Sequence, residues 1–98
     1  MNETTAPERL AAIGKQLAAN GEDSIADVFE RLSRGEPVLP LLDELTVDQL
    51  FGLACCVVAL YIGLLEDDDA AAPEFQAFTQ YLMVKYVQRR GFVRPHLN

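Results

Sequence analysis

Few residues in this chain could do chemistry: two adjacent cysteines, Cys55 and Cys56, one histidine, His96, a run of carboxylates from Glu66 to Asp69, and two serines, Ser24 and Ser33. A thiol acts as nucleophile or metal ligand as the thiolate, which a neighbouring cation or metal must stabilise. Cys55 and Cys56 stand inside an apolar run with no cation near them, so they read as small hydrophobes. As chain neighbours they are poorly placed to bridge each other, and no third cysteine exists for a disulfide framework. His96 lies far off in the C-terminal tail and offers no Cys-His or Ser-His partner of assured position. The carboxylates at 66–69 are consecutive and lack the alternate spacing and glycine of a calcium loop, so they read as a solvated turn. Ser24 and Ser33 read as cap and surface residues. No glycine-rich phosphate loop and no nucleophile elbow is present. The chain is expected to be non-enzymatic, with no cofactor, no metal and no small-molecule substrate.

Binding chemistry is better represented. The formal charge is −7, and all fifteen acidic residues precede Phe75. Residues 75–98 hold Lys85, Arg89, Arg90 and Arg94 and no carboxylate. Cations near a helix C-terminus complement its dipole, and this explains part of the asymmetry. The sharper reading is a basic docking edge made of Lys85, Arg89, Arg90, Phe92 and Arg94. In an antiparallel hairpin that edge would lie near Asp43, Glu44 and Asp48, leaving the 66–69 loop without an internal partner. Two acidic faces are then available to a basic surface: Glu22, Asp23, Asp27 and Glu30, and Glu66, Asp67, Asp68 and Asp69. General nucleic-acid binding is disfavoured, because displacing counterions from phosphates requires net cationic charge. A third feature is a stripe of small residues, Gly52, Cys56, Ala59 and Gly63, which nearly align on a helical wheel. The ordinary reading is packing against the last helix, and the functional one is a homodimer seam.

The elements that position these groups are helices. Thr5 and Glu8 form a capping box, Pro7 suits a first turn, and Leu10, Ile13 and Leu17 share a face that ends at Asn20-Gly21. Asp23 or Ser24 is expected to cap a second helix, whose Ile25, Val28, Phe29 and Leu32 make an i, i+3, i+4, i+7 stripe up to Gly35. Pro37 and Pro40 forbid a long helix from Glu36 to Leu45 and leave a connector with one turn near 41–44. Thr46 and Gln49 form a second capping box, opening a third main helix that runs to about Glu66. Its interior from Leu50 to Leu65 carries no charge. Leu50, Leu53, Val57, Leu60 and Leu64 mark one seam; Phe51, Val58, Ile62 and Leu65 mark another. A helix apolar all round is expected to be enclosed. The uncharged stretch spans about 24–26 Å, short of the ~20 residues a bilayer core needs, and its flanks are acidic, so a membrane span is disfavoured. Pro73 and Glu74 start the last helix, with Phe75, Phe78, Leu82 and Tyr86 on one face and Gly91 as its stop.

The expected fold is all-α: a single domain over residues 1–98, a small bundle of four main helices around a hydrophobic third helix, with 92–98 a short tail. Met1 to Thr5 has neither basic residues nor an apolar stretch, and with no disulfide framework the chain reads as cytoplasmic. Its alanine- and leucine-rich composition points to a bacterial or phage source. The leading functional class is a protein–protein interaction module, such as a small acidic inhibitor, an immunity or anti-defence protein, or an adaptor, whose partner is a protein with a basic surface. The alternatives are a homo-oligomeric assembly or chaperone-like subunit, and nucleic-acid contact through the basic C-terminal helix.

Overall fold

The computed structural model describes Thr5 to Gly91, and all of its regular elements are helices. They are α1 (Ala6–Ala19), α2 (Asp23–Ser33), α3 (Leu39–Leu42), α4 (Val47–Glu66) and α5 (Ala72–Arg90). The expected four long helices are present, and the one-turn α3 makes a fifth within the proline-bearing connector. The residues assigned to the tail, 92–98, lie outside the described residues.

Both capping boxes form. The Thr5 hydroxyl accepts from Glu8 N at 3.3 Å while Thr5 N donates to the Glu8 carboxylate at 2.9 Å. The Thr46–Gln49 pair repeats this at the start of α4, at 3.1 and 2.8 Å. At α2 neither Asp23 nor Ser24 is the cap: Glu22 holds that place and makes no side-chain cap hydrogen bond. The reason is the tight α1–α2 turn. Gly21, at φ +84°, reverses the chain so sharply that Glu22 N already donates to Leu17 O at 2.9 Å. Asp68 takes the same left-handed role between α4 and α5, at φ +55°, a conformation aspartate tolerates better than most residues. Asp69 closes the turn by accepting from Ala71 N at 2.9 Å.

α1 and α2 form one antiparallel hairpin and α4 and α5 another. Gly14 of α1 allows the first to close: a β-carbon there would lie 3.3 Å from Glu30 Cγ and 3.4 Å from Ala26 O. The helix-propensity penalty of that glycine is thus the condition for a close approach. The two hairpins share a continuous core, with Leu10, Val28, Phe29, Leu42, Leu53, Val57, Leu64, Phe75 and Leu82 buried in it. Phe29, Leu42, Leu50, Leu53, Leu64 and Leu82 are fully buried. Among the described residues no polar or charged side chain is buried.

One expectation is overturned. α4 is not enclosed: its first seam lies in the core, but Phe51, Ile62 and Leu65 remain 53%, 49% and 51% exposed. The cause is geometric. The α1–α2 hairpin covers one flank of α4 and α5 covers a second, and among the described residues no further element covers the third.

Replacing Phe29 with Ala should destabilise the domain by about 3–5 kcal/mol, the usual cost of emptying a fully buried aromatic site. Urea denaturation followed by circular dichroism measures this, and a loss below about 1 kcal/mol would contradict the core described here.

Candidate interaction surface

The exposed seam of α4 consists of Phe51, Cys55, Val58, Ile62 and Leu65, with Val58 half-buried and the others exposed. Their spacing alternates four and three residues, so they hold one line along the helix for about 21 Å. α5 borders this line on one side. The Phe51 and Tyr86 rings meet with centroids 5.6 Å apart at one end. At the other end Leu65 shares a groove of about 230 Å³ with Ala72, Gln76, Asp68 and Asp69. Met83 and Val87, 44% and 39% exposed, stand on the flank of α5 between these two points and past Tyr86. Apolar side chains are thus exposed on both α4 and α5. The seam of Phe51, Val58, Ile62 and Leu65, expected from sequence to be enclosed, lies on the surface instead.

The small-residue stripe lies on a different side of α4. A β-carbon on Gly52 would lie 3.4 Å from Ile25 Cδ1 of α2, and one on Gly63 would lie 3.2 Å from Arg9 Nη1 of α1. The stripe therefore accommodates the first hairpin, not the last helix. Cys56 is half-buried there and Ala59 is exposed. Burial pushes the Cys56 thiol up from its ordinary range, with Cys55 and Glu22 adding to the shift, so the thiolate is disfavoured.

The basic edge is engaged within the chain. Lys85 Nζ meets Asp43 Oδ1 at 2.7 Å. Arg89 donates to the carbonyls of Leu45 and Leu42 at 2.7 and 3.5 Å, supplying the connector with the partners its prolines and short helix leave wanting. Arg90 donates to the Tyr86 hydroxyl at 3.0 Å, which holds it at the Phe51 end of the apolar face. The other two residues assigned to this edge, Phe92 and Arg94, lie outside the described residues. The hairpin geometry that placed Lys85 near Asp43 is therefore as expected.

The acidic loop differs from expectation in one respect. Asp67 has an internal partner, the Arg9 guanidinium of α1, across a separation of 58 residues. The Arg9 partner is not legible in the sequence, because no local pattern links positions so far apart. The other acidic face is surface-exposed along α2: Glu22, Asp23 and Glu30 are exposed, and half-buried Asp27 has Oδ2 3.3 Å from Arg31 Nε one turn on. Glu22 and Asp48 line one groove of about 400 Å³ between α4 and the α1–α2 turn. Glu22 thus lies toward the opposite end of α4 from the 66–69 loop. No group of three or more His, Cys, Asp or Glu side chains is gathered for a metal among the described residues.

α4 is, by length and composition alone, long and apolar enough to cross a membrane, with a third of its central stretch buried in the protein. No known family, no curated protein and no solved structure matches this chain.

The Asp43–Lys85 pair generates a pH prediction. The hydrogen bond and charge of Lys85 hold the Asp43 carboxyl below its ordinary value, and the same contacts raise Lys85. A lowered carboxylate stabilises the fold above its unfolded value and loses that contribution as pH falls through the folded one. A raised lysine stabilises below its ordinary range and loses the contribution as pH rises through its folded value. Asp43→Asn should therefore lower the Tm at neutral pH and make no difference in strong acid, where the wild-type carboxyl is already protonated. Equal Tm values for the two proteins across the whole range would show that the pair contributes nothing.

Proposed function

We propose that this small helical bundle is a non-enzymatic protein–protein interaction module that acts by surface contact. The observation that carries the reading is the apolar face of α4 and α5, with Phe51, Ile62, Leu65, Met83 and Val87 all exposed. Contiguous apolar surface rimmed by charge is the usual mark of an interaction site in a soluble protein. The remainder of the surface supports the same class. Most of its carboxylates lie on exposed helix faces and turns, and burial pushes the Cys56 thiol up, away from the reactive thiolate.

The chemistry of a foreign partner follows from charge. Glu22, Asp23, Asp27 and Glu30 on α2, and Glu66 to Asp69 at the far end of α4, fit a protein with a basic surface. An acidic inhibitor, an immunity or anti-defence protein, or an adaptor would use such faces. The second reading, a homo-oligomeric assembly or chaperone-like subunit, is favoured by the apolar face itself. Nucleic-acid contact through α5 has less support, since Lys85 and Arg89 already hold the α3 region in place.

Capture of the tagged protein from its native lysate, with quantified stoichiometry, should return one basic protein in near-equal amount. The double charge reversal Glu22→Lys and Glu30→Lys should reduce that recovery at least about tenfold, the effect of losing roughly 1.4 kcal/mol of binding. Undiminished recovery by the charge-reversed protein would remove the acidic α2 face from the proposal.

A further inference from the structure

We infer that the groove between α4 and the α1–α2 turn receives an arginine side chain of a basic partner protein, its aliphatic stem over Gly52 and Cys56 and its guanidinium at Glu22 and Asp48. The inference rests on the interaction-module reading and names the contact by which this acidic end of the molecule holds such a partner.

The first argument is availability. The ion pairs of the described residues engage Asp27, Glu36, Asp43 and Asp67, and none involves Glu22 or Asp48. Glu22 caps α2 without a side-chain hydrogen bond. No lysine or arginine is among the described residues that line the groove, so two unengaged carboxylates border one space of about 400 Å³. That size falls within the range of about 300–1,000 Å³ usual for binding clefts. The grooves beside Leu65 and Leu39 differ. In one, Asp69 already accepts from Ala71 N; in the other, Glu36 already holds Arg34.

The second argument is the lining. Ile25 is buried, and Leu17, Gly52 and Cys56 are half-buried, while Glu22 and Asp48 are exposed. Gly52 keeps the groove open, since a β-carbon there would already lie 3.4 Å from Ile25 Cδ1. An apolar bed edged by carboxylates matches a side chain with an aliphatic stem and a cationic head. Arginine matches it better than lysine. Its five donors lie in a planar fork able to meet two carboxylates, and its charge is more weakly hydrated. Asn20 adds an amide acceptor to the same edge. A bare metal ion suits the groove less well: calcium takes about 6–8 oxygen ligands, which two carboxylates over an apolar bed do not supply.

The test uses acetylated hexa-arginine amide as the probe, titrated into the ¹⁵N-labelled protein. The largest amide shifts should fall at Asn20, Glu22, Gly52 and Cys56. Glu22→Gln with Asp48→Asn should weaken binding at least about tenfold, whereas Glu74→Gln, beside the Leu39 groove, should change it less than about twofold. Gly52→Leu leaves the charge untouched and fills the groove, and should weaken binding at least about fivefold with the helical circular dichroism retained. Should that variant lose its helicity, alkylation of Cys56 by N-ethylmaleimide in the Cys55→Ser protein supplies the same readout: hexa-arginine should slow it. Hexa-lysine, of equal charge, should bind more weakly than hexa-arginine. Shifts centred on residues 66–69, affinity indifferent to Glu22→Gln with Asp48→Asn, or a folded Gly52→Leu protein that binds as well as the original would each overturn the inference. Calcium chloride that reproduces the same shifts would assign the carboxylates to a bare cation and overturn it too. A basic partner captured from lysate whose recovery falls with Glu30→Lys but not with Gly52→Leu would remove the groove while leaving the interaction-module reading intact.

Discussion

The uncharged stretch of α4, sixteen residues from Leu50 to Leu65, is the constraint around which the rest of the chain is arranged. A helix that is apolar on every side gains by being covered on every side, since each large side chain removed from water contributes roughly 1.5–3 kcal/mol. Three long helices share that task. α1 and α2 close on each other through Gly14 and present Leu10, Ile25 and Phe29 to the core as one unit. α5 returns along the other flank with Phe75 and Leu82. Those two surfaces leave one arc of α4 open, and the Phe51–Leu65 line lies on it.

Charge is arranged to suit this scheme. With no polar side chain buried among the described residues, no desolvated ion pair offsets the gain from apolar burial. The cations that pin the architecture sit at its edge. Lys85 and Arg89 fasten α5 to the short helix and the turn after it, and Arg9 fastens α1 to the acidic loop. Exposed ion pairs are individually weak, so these contacts select the register of elements that burial has already joined. The same placement leaves the surface divided in character. α2 is acidic along its outer edge, and the α4–α5 side is apolar with a cation at one end and carboxylates at the other.

Much of the local structure was legible from residue order. Thr5-Glu8 and Thr46-Gln49 announce two helix starts because a cap and its reciprocal partner are three residues apart on one chain. Gly21, Gly35 and Gly91 end helices because each adopts a positive φ that other residues resist. The Ile25–Leu32 stripe and the Phe75–Tyr86 face point inward because a 3.6-residue period leaves one side of a helix apolar. The α2 cap is not legible this way, because Gly21 turns the chain tightly enough for Glu22 to take the position without a side-chain bond.

Residue order alone thus determined the long helices, most of their ends, the apolar identity of α4 and the acidic character of its surroundings. All of these are set by neighbours within a few positions. Tertiary structure decided which side of α4 stays open, that the small stripe Gly52–Gly63 receives the first hairpin, and that Arg9 reaches Asp67. Those outcomes depend on how many helices fit around a cylinder and on contacts between residues tens of positions apart. Two apolar seams on one helix look alike in sequence, and only the count of covering elements distinguishes the seam that becomes core from the one that becomes surface.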